Sequence, residues 1–357
     1  MKRRWFFLWL IPISVFITMF VKNNISYAEY YAINIYPFFV KTIGIFSFKT
    51  HESAAELVIF ALIMTIIILT AVTIVESIKY KTLDYIKKYI LGFTSFISVM
   101  IFLFVLFCGI NYYRYGFTHY SGLVIQESSN RELIELCGLL IEDANEYRAK
   151  LDTDKGSAKL FDNNYHGTAE RAVNSMNRLS EEYEILKGSF PLPKPVRQSK
   201  VMSFLNITGM FFPYTFEANV NVDAPPYQIP SATLHELVHL RGFMREDEAS
   251  FIAYLAGIKS GYDDFYYSST MSALTHSMNA LNSADYDEFV RLYSLYSDDV
   301  RNDVAFSRSY WKQFDTKVAD AANKVNDTYL KANNQPEGLR SYGRMVDLLL
   351  AYYRQEA

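Results

Sequence analysis

The sequence predicts a mainly α-helical membrane protein, in which three N-terminal transmembrane helices precede an α-rich soluble domain with a small β-sheet. Three observations predict this class. The long apolar runs are confined to the first third of the 357 residues. The remaining residues repeat their apolar positions mostly at helical spacing. Only two short segments are rich in the residue types that favour strands. The predicted domains are residues 1–110 and 111–357.

The composition excludes several classes of protein. Half of the residues are hydrophobic, 20% are charged and the net charge is −3, so the chain is neither disordered nor basic. Because nucleic-acid binding usually requires a basic surface, we expect no nucleic-acid partner. Two cysteines are too few for a scaffold held by several disulfides or for a four-cysteine zinc site.

Three segments are apolar over about the 20 residues that a membrane-spanning helix requires. The predicted helices cover about residues 5–21, 54–75 and 90–110. The first helix follows Lys2, Arg3 and Arg4, and this arrangement fits either a retained anchor or a cleaved signal peptide. Its apolar run is bulky and exceeds the roughly 7–15 residues of a signal peptide, which favours the anchor. The bilayer is therefore an expected partner.

Charged residues set the predicted orientation of these helices. The loop between the second and third helices is basic, with Lys79, Lys81, Lys87 and Lys88 against Glu76 and Asp84. By the positive-inside rule this loop and the basic N-terminus are cytoplasmic. We therefore expect a multi-pass plasma-membrane protein whose residues 111–357 are extracytoplasmic. The apolar stretch 30–49 is interrupted by Pro37 and Lys41, and is predicted to be re-entrant or to lie at the interface.

Hydrophobic periodicity and turn residues define the remaining elements. Helices are predicted over 129–150, 168–187 with Thr168 as N-cap, 285–296, 308–332 and 341–353. Strands are predicted over 200–206 and 210–222. The stretch 216–222, just before the next helix, is interpreted either as an edge strand that pairs with a substrate backbone or as an ordinary sheet strand.

A histidine pair at residues 235–239 carries the most specific chemical signal. His235 and His239 are four residues apart, so both imidazoles face one side of a helix and can bind one metal ion. Glu236 follows the first histidine, the position of a general base in zinc-assisted hydrolysis. Pro230 and Gly242 are typical of the start and end of such a helix. The pattern predicts a zinc site with three protein ligands and one open position.

The residue pattern alone does not identify the third zinc ligand. Glu246 and Glu248 both follow the histidine pair, but lie about 200° apart around a helix and so cannot both face one ion. Glu246 shares its face with Ser250 and Ala253, which allow close approach between helices. Glu248 shares its face with larger apolar residues, which can draw it inward.

This segment resembles a known group of metallopeptidases. Glu246-x-x-Ala249-Ser250-x-x-Ala253 is similar to the second helix of gluzincin-type zincins, which include heat-shock membrane proteases and prenyl-protein proteases. The resemblance implies that Glu246 is the third zinc ligand and that Ser250 supports a ligand histidine. Serine stands here where those families usually have aspartate or asparagine, and its hydroxyl is a weaker orienting group.

The resemblance extends over nearly the whole chain. Three N-terminal spans, TFEANVNVDAPPYQIPSATLHELVHL, EDEASFIAYLA and NDTYLKANNQPEGLRSYGRMVDLLLAYY together resemble a bacterial membrane family called domain of unknown function 3810 (DUF3810). The resemblance implies a zincin-like metallopeptidase domain over 111–357.

These resemblances imply a specific set of site residues. Zinc is held by His235, His239 and Glu246, Glu236 acts as general base, and the substrate is a peptide or protein. Candidates for the oxyanion donor, by residue type only, are Tyr254, His276, Arg340 and Tyr342. The alternative is a membrane-tethered scaffold that binds zinc without turnover.

Overall fold

The computed structural model describes residues 5–45, 50–154, 156–160, 164–188 and 191–356, which form two compact units. The first unit ends at Tyr115 and also contains Phe212–Phe216. The second comprises the other described residues from Gly116 onward. Lys2, Arg3 and Arg4, on which part of the orientation argument depends, lie outside the described residues, as do residues 46–49 of the predicted re-entrant segment.

The first unit contains the long apolar helices of the N-terminal third. Its helices are α1 (Trp5–Leu8), α2 (Leu10–Asn23), α3 (Ile25–Asn34), α4 (Tyr36–Ile43), α5 (Ala54–Tyr80) and α6 (Asp84–Phe107), and a 3₁₀ helix covers Gly109–Tyr113. Trp5–Asn23, α5 and α6 are long and apolar enough to cross a membrane, in agreement with the three predicted spans. Helices α5 and α6 extend the predicted bounds toward the basic turn between them, where Lys81 adopts a left-handed conformation.

A short turn far along the chain also belongs to this unit. Phe216 has a φ of 52° and a buried side chain. Its ring centroid lies 5.7 Å from that of Tyr36 and 5.2 Å from that of Phe107. The hydroxyl of Tyr214 donates to the carbonyl of Met100 over 3.1 Å. Aromatic contacts of this kind add to the burial of the rings themselves, so they stabilise a backbone conformation that a phenylalanine rarely adopts.

The second unit is mainly helical. Its helices are α7 (Phe117–Ser121), α8 (Asn130–Arg148), α9 (Tyr165–Glu182), α10 (Ser199–Phe204), α11 (Ile229–Leu240), α12 (Glu246–Ile258), α13 (Asp263–Ala284), α14 (Tyr286–Tyr293), α15 (Asp298–Lys312), α16 (Lys317–Ala332) and α17 (Met345–Glu356). Further 3₁₀ helices cover Glu184–Leu186, Pro226–Gln228 and Gly338–Arg344.

Several predicted boundaries are wrong for identifiable reasons. The predicted strand over 200–206 is the helix α10. Helix α9 is capped by Asn164, which accepts from the Gly167 N–H, and not by Thr168. The predicted helix over 308–332 is two helices, because Thr316 accepts from the Ala319 N–H and so starts α16 anew. Helix α13, which the sequence analysis did not predict, is the central partner of α8 and α12.

The strands are short and form two sheets. One pairs β1 (Thr153–Asp154) with β2 (Ser157–Ala158). The other has the order β3 (Lys194–Pro195), β5 (Glu217–Val220) and β4 (Gly209–Phe212), with β3 and β5 parallel. Because β5 lies between two neighbours, the interpretation of 216–222 as an edge strand is wrong, and the ordinary-strand interpretation fits. The edge strand preceding the histidine helix is β4.

A buried ion pair joins five elements of the second unit. Arg148 on α8 donates from Nε to Asp303 Oδ2 on α15 over 2.7 Å, and both side chains are at most 2% exposed. The same carboxylate accepts from the Tyr267 hydroxyl (2.6 Å) and the Ala158 N–H (2.8 Å). The remaining guanidinium nitrogens donate to Leu151 O and Thr153 Oγ1. Because every charged group is hydrogen-bonded, the pair can remain buried without an uncompensated charge.

Candidate metal centre

Helix α11 presents the histidine pair as its sequence predicts. Pro230 lies in its first turn, and Gly242, with a φ of 85°, follows its end. Leu234, Val238 and Leu240 are fully buried and fix the helix against the interior of the second unit. The opposite face therefore carries His235 and His239, with imidazole centroids 4.7 Å apart.

Three ligand atoms converge at one point. His235 Nε2 lies 3.0 Å from Glu246 Oε2 and 3.1 Å from His239 Nε2. His239 Nε2 lies 3.5 Å from Glu246 Oε2. In tetrahedral coordination with bonds of about 2.0–2.2 Å, the ligand atoms are roughly 3.3–3.6 Å apart. One side of the triangle of these atoms lies within that range, and the other two are about 0.2–0.3 Å shorter, so the triangle is close in size to one face of a zinc coordination tetrahedron.

Hydrogen bonds on the far side of each imidazole orient it toward this point. The Nδ1 of His239 lies 2.8 Å from the carbonyl oxygen of Phe243, which can only accept. Neutral His239 therefore carries its proton on Nδ1 and offers the Nε2 lone pair. The Nδ1 of His235 lies 3.3 Å from Ser250 Oγ, the contact that the family resemblance implies. A ligand histidine bonded in this way is typical of metal sites.

Charge effects within the group favour a bound cation. Burial opposes ionisation of Glu246, but the charges of His239 and His235 outweigh it and hold the pKa of Glu246 below its usual range. Burial likewise lowers the pKa of His239, but the carboxylate of Glu246 more than offsets this and raises that pKa to about 9. Both shifts mean that the group attracts positive charge. The residues present therefore fit a divalent cation such as Zn²⁺.

Glu246 and Glu248 have separate roles in the structure. Glu246 begins α12, and its N–H donates to Gln335 Oε1 over 3.1 Å. Glu248 lies elsewhere: it accepts two hydrogen bonds from Arg245, at 2.8 and 3.0 Å, and one from the Phe117 N–H at 2.9 Å. The group that can hold a metal ion is His235, His239 and Glu246. Glu248 instead fixes the start of α7 against the start of α12.

Glu236 lies beside the ligands without joining them. Its side chain is buried, and its Oε2 has no hydrogen-bond partner among the described residues. The backbone N–H of Phe211 on β4 donates to its carboxylate. Burial raises the pKa of Glu236, while the charges of His235 and His239 act in the opposite direction. The sheet thus restrains the carboxylate, and Oε2 is free to receive a proton.

Two of the four candidate oxyanion donors lie at this site. The Tyr342 ring stacks on His235, with centroids 6.3 Å apart at 21°, and its hydroxyl interacts with Glu246 and Asn326. His276 on α13 is close enough to His235 that burial together with the charge of His235 lowers its pKa to about 4. Tyr254 is buried elsewhere with its hydroxyl 2.7 Å from that of Tyr353, and Arg340 is exposed.

Sequence reasoning missed the residues that support the site from a distance. Gln335, Phe243 and Phe211 act through an amide oxygen, a carbonyl and a backbone N–H, none of which has a sequence signature. Gly209 also contacts Glu236 closely. The one available signal was the C-terminal block of the family resemblance, which contains both Gln335 and Tyr342.

Comparison with known proteins identifies a family and no individual relative. No curated protein and no solved structure matches this chain. A family model described as "Protein of unknown function (DUF3810)" matches residues 31–350. That range covers most of the chain and includes every residue of the candidate metal centre. The chain therefore belongs to the DUF3810 family.

Proposed function

We propose that the protein is a membrane-anchored zinc metallopeptidase with a zincin-like second unit. The observation that carries the proposal is the convergence of His235, His239 and Glu246 beside a buried carboxylate with one free oxygen. A site that only binds metal has no need of a buried Glu236, whose burial disfavours its charged form. The arrangement therefore favours hydrolysis over a structural metal site.

Each residue of the site has a separate role in the proposed hydrolysis of peptides. His235 Nε2, His239 Nε2 and Glu246 Oε2 hold the metal. A bound zinc ion supplies Lewis acidity that activates water and polarises a carbonyl. Glu236 accepts a proton from the attacking water at Oε2 and passes it to the leaving amine. The Phe211 N–H interacts with the carboxylate of Glu236, which helps the base to keep its orientation during both transfers.

His276 is the proposed donor to the developing oxyanion. It makes no hydrogen bond to another described residue, and it lies on α13 near His235. A neutral imidazole still carries one N–H, so the lowered pKa of His276 is compatible with a donor role. Tyr342 is less suited to that task, because its hydroxyl is already engaged with Glu246.

The orientation of the chain suggests where the reaction takes place. The lysines at and beside the turn between α5 and α6 favour a cytoplasmic turn, which places the residues after α6 on the extracytoplasmic side. We therefore propose peptides or proteins of the cell envelope or its exterior as substrates, and a multi-pass plasma-membrane location.

Metal analysis of carboxylate variants tests the ligand assignment. Glu246→Gln is expected to lower zinc content from about one ion per chain to less than a tenth, because an amide is a poor zinc ligand and the triangle loses its one charged member. Glu248→Gln is the matched control: it lies two residues away on the same helix, is also buried, and should retain zinc. The measurement is elemental analysis of the full-length protein in detergent, after dialysis against buffered zinc.

The opposite pattern would overturn the assignment. If Glu248→Gln lost its zinc while Glu246→Gln kept it, the third ligand would be Glu248. Bound zinc with no cleavage of casein or of the protein itself by the wild-type chain would leave only a metal-binding role.

Removal of the Tyr342 hydroxyl tests the outer support of the site. Tyr342→Phe keeps the ring over His235 but removes the hydroxyl that interacts with Glu246. Loss of such an orienting bond typically weakens metal binding about 10–100-fold. We expect a decrease of this size in zinc affinity. Competition with a chelating indicator measures it. An unchanged affinity would mean that Glu246 is held adequately by the histidines and the helix alone.

A further inference from the structure

The edge strand β4 passes directly beside the side chain of Glu236. A Cβ atom added at Gly209 would lie 2.5 Å from Glu236 Oε1, 2.6 Å from Cγ and 2.8 Å from Cδ. Contacts under about 3 Å cannot persist between such atoms, so one of them must move. The three nearest atoms all belong to Glu236, so the glycine leaves room for that carboxylate in particular.

Two contacts of β4 fix the same side chain from different directions. The Phe211 N–H, two residues after Gly209, donates to the Glu236 carboxylate. Oε1 is the carboxylate oxygen nearest to Gly209, and Oε2 has no hydrogen-bond partner among the described residues. The strand thereby restrains the carboxylate, and Oε2 remains available.

We infer that Gly209 is a positioning residue for Glu236: its missing side chain lets β4 approach closely enough for the Phe211 N–H to hold the carboxylate with Oε2 free. The catalytic meaning of this inference rests on the proposed peptidase function. Gly209 does not adopt a left-handed conformation, so alanine is compatible with the backbone at this position. Alanine at position 209 is therefore expected to displace the carboxylate of Glu236.

Gly209→Ala in the full-length protein tests the inference by separating catalysis from metal binding. The atoms that must yield are the end of a side chain and not backbone, so we expect a folded protein with unchanged zinc content. A displacement of about 1 Å from a productive geometry can cost about 100-fold, so kcat should fall by about that factor. KM should change less than about threefold, because the substrate contacts stay in place.

Gly138→Ala is the matched control. Gly138 lies in α8, and an added Cβ there meets no atom within 4 Å. This variant should keep kcat, KM and zinc content, and should melt no lower than the wild type, because alanine favours a helix more than glycine does.

A thermal double-mutant cycle tests the contact between Gly209 and Glu236 without a measurement of enzymatic activity. Any decrease in melting temperature caused by Gly209→Ala should disappear in a Glu236→Ala background, which lacks Cγ, Cδ and Oε1. If Gly209→Ala alone fails to fold, the double variant should fold; failure of both would overturn the inference. So would a Gly209→Ala protein with wild-type kcat, or one that loses its zinc. A wild-type chain without peptidase activity would refute the proposed function, while the cycle would still report on the contact.

Discussion

Glu236→Gln is expected to lower the rate of peptide hydrolysis by about 10²–10⁴-fold, the usual contribution of a general base, without loss of zinc. Glutamine is nearly isosteric with glutamate, so it fits beside Gly209 and can still accept from the Phe211 N–H. Its amide nitrogen cannot take a proton from water, so the step assigned to Oε2 fails. Initial rates on casein or a quenched-fluorescence peptide mixture, together with zinc content, measure the effect.

Two comparisons make this result interpretable. Chelator-treated wild-type protein should be as inactive as the variant and should recover when zinc is restored, whereas Glu236→Gln should not recover. Retained cleavage by zinc-loaded Glu236→Gln would refute the role of this carboxylate. In that case the chain would use another base or would owe its activity to a contaminating protease.

The largest expected effect on stability comes from the buried pair of Arg148 and Asp303. Asp303→Ala leaves the guanidinium in the interior without its counter-charge, and also removes the acceptor for the Tyr267 hydroxyl and the Ala158 N–H. Breaking such a pair typically costs about 3–5 kcal/mol. For a unit of this size the melting temperature should fall by roughly 6–20 °C. Circular dichroism of the protein in detergent, recorded during thermal unfolding, measures this decrease in melting temperature.

An exposed ion pair in α8 provides the comparison. Glu135 accepts from Arg131 over 2.8 Å, and the two side chains are 57% and 86% exposed. Glu135→Ala should leave the melting temperature nearly unchanged, because water screens such exposed pairs. Equal effects of Asp303→Ala and Glu135→Ala would contradict the view that the buried network stabilises the second unit.

Local chemistry made the core of the candidate site predictable. The four-residue spacing of His235 and His239 places them on one helical face whatever the rest of the chain does. The choice between Glu246 and Glu248 was different, because helical geometry separates them but does not say which faces the histidine pair. The structure separates them through the Phe117 N–H, 131 residues away in sequence, which binds Glu248. No local pattern encodes that contact.

The fold was predictable where the apolar pattern was strong. The three spans followed from uninterrupted hydrophobic runs, whereas α13 was missed because serine and threonine occupy much of its buried surface, including Ser268, Ser269, Thr270 and Ser277. Small polar residues leave little hydrophobic periodicity to detect. Helix α10 was mistaken for a strand because six residues are too few to distinguish the two periods.

The membership of Phe212–Phe216 in the first unit bears on how the enzyme proposal can be studied. A shortened, water-soluble version that begins at Gly116 would keep this aromatic loop but discard Tyr36 and Phe107, the rings beside Phe216. Leaving one such ring in solvent costs about 1.5–3 kcal/mol and invites aggregation. Phe211, the support of Glu236, directly precedes that loop. Inactivity of such a fragment would therefore say little about the intact chain in its bilayer.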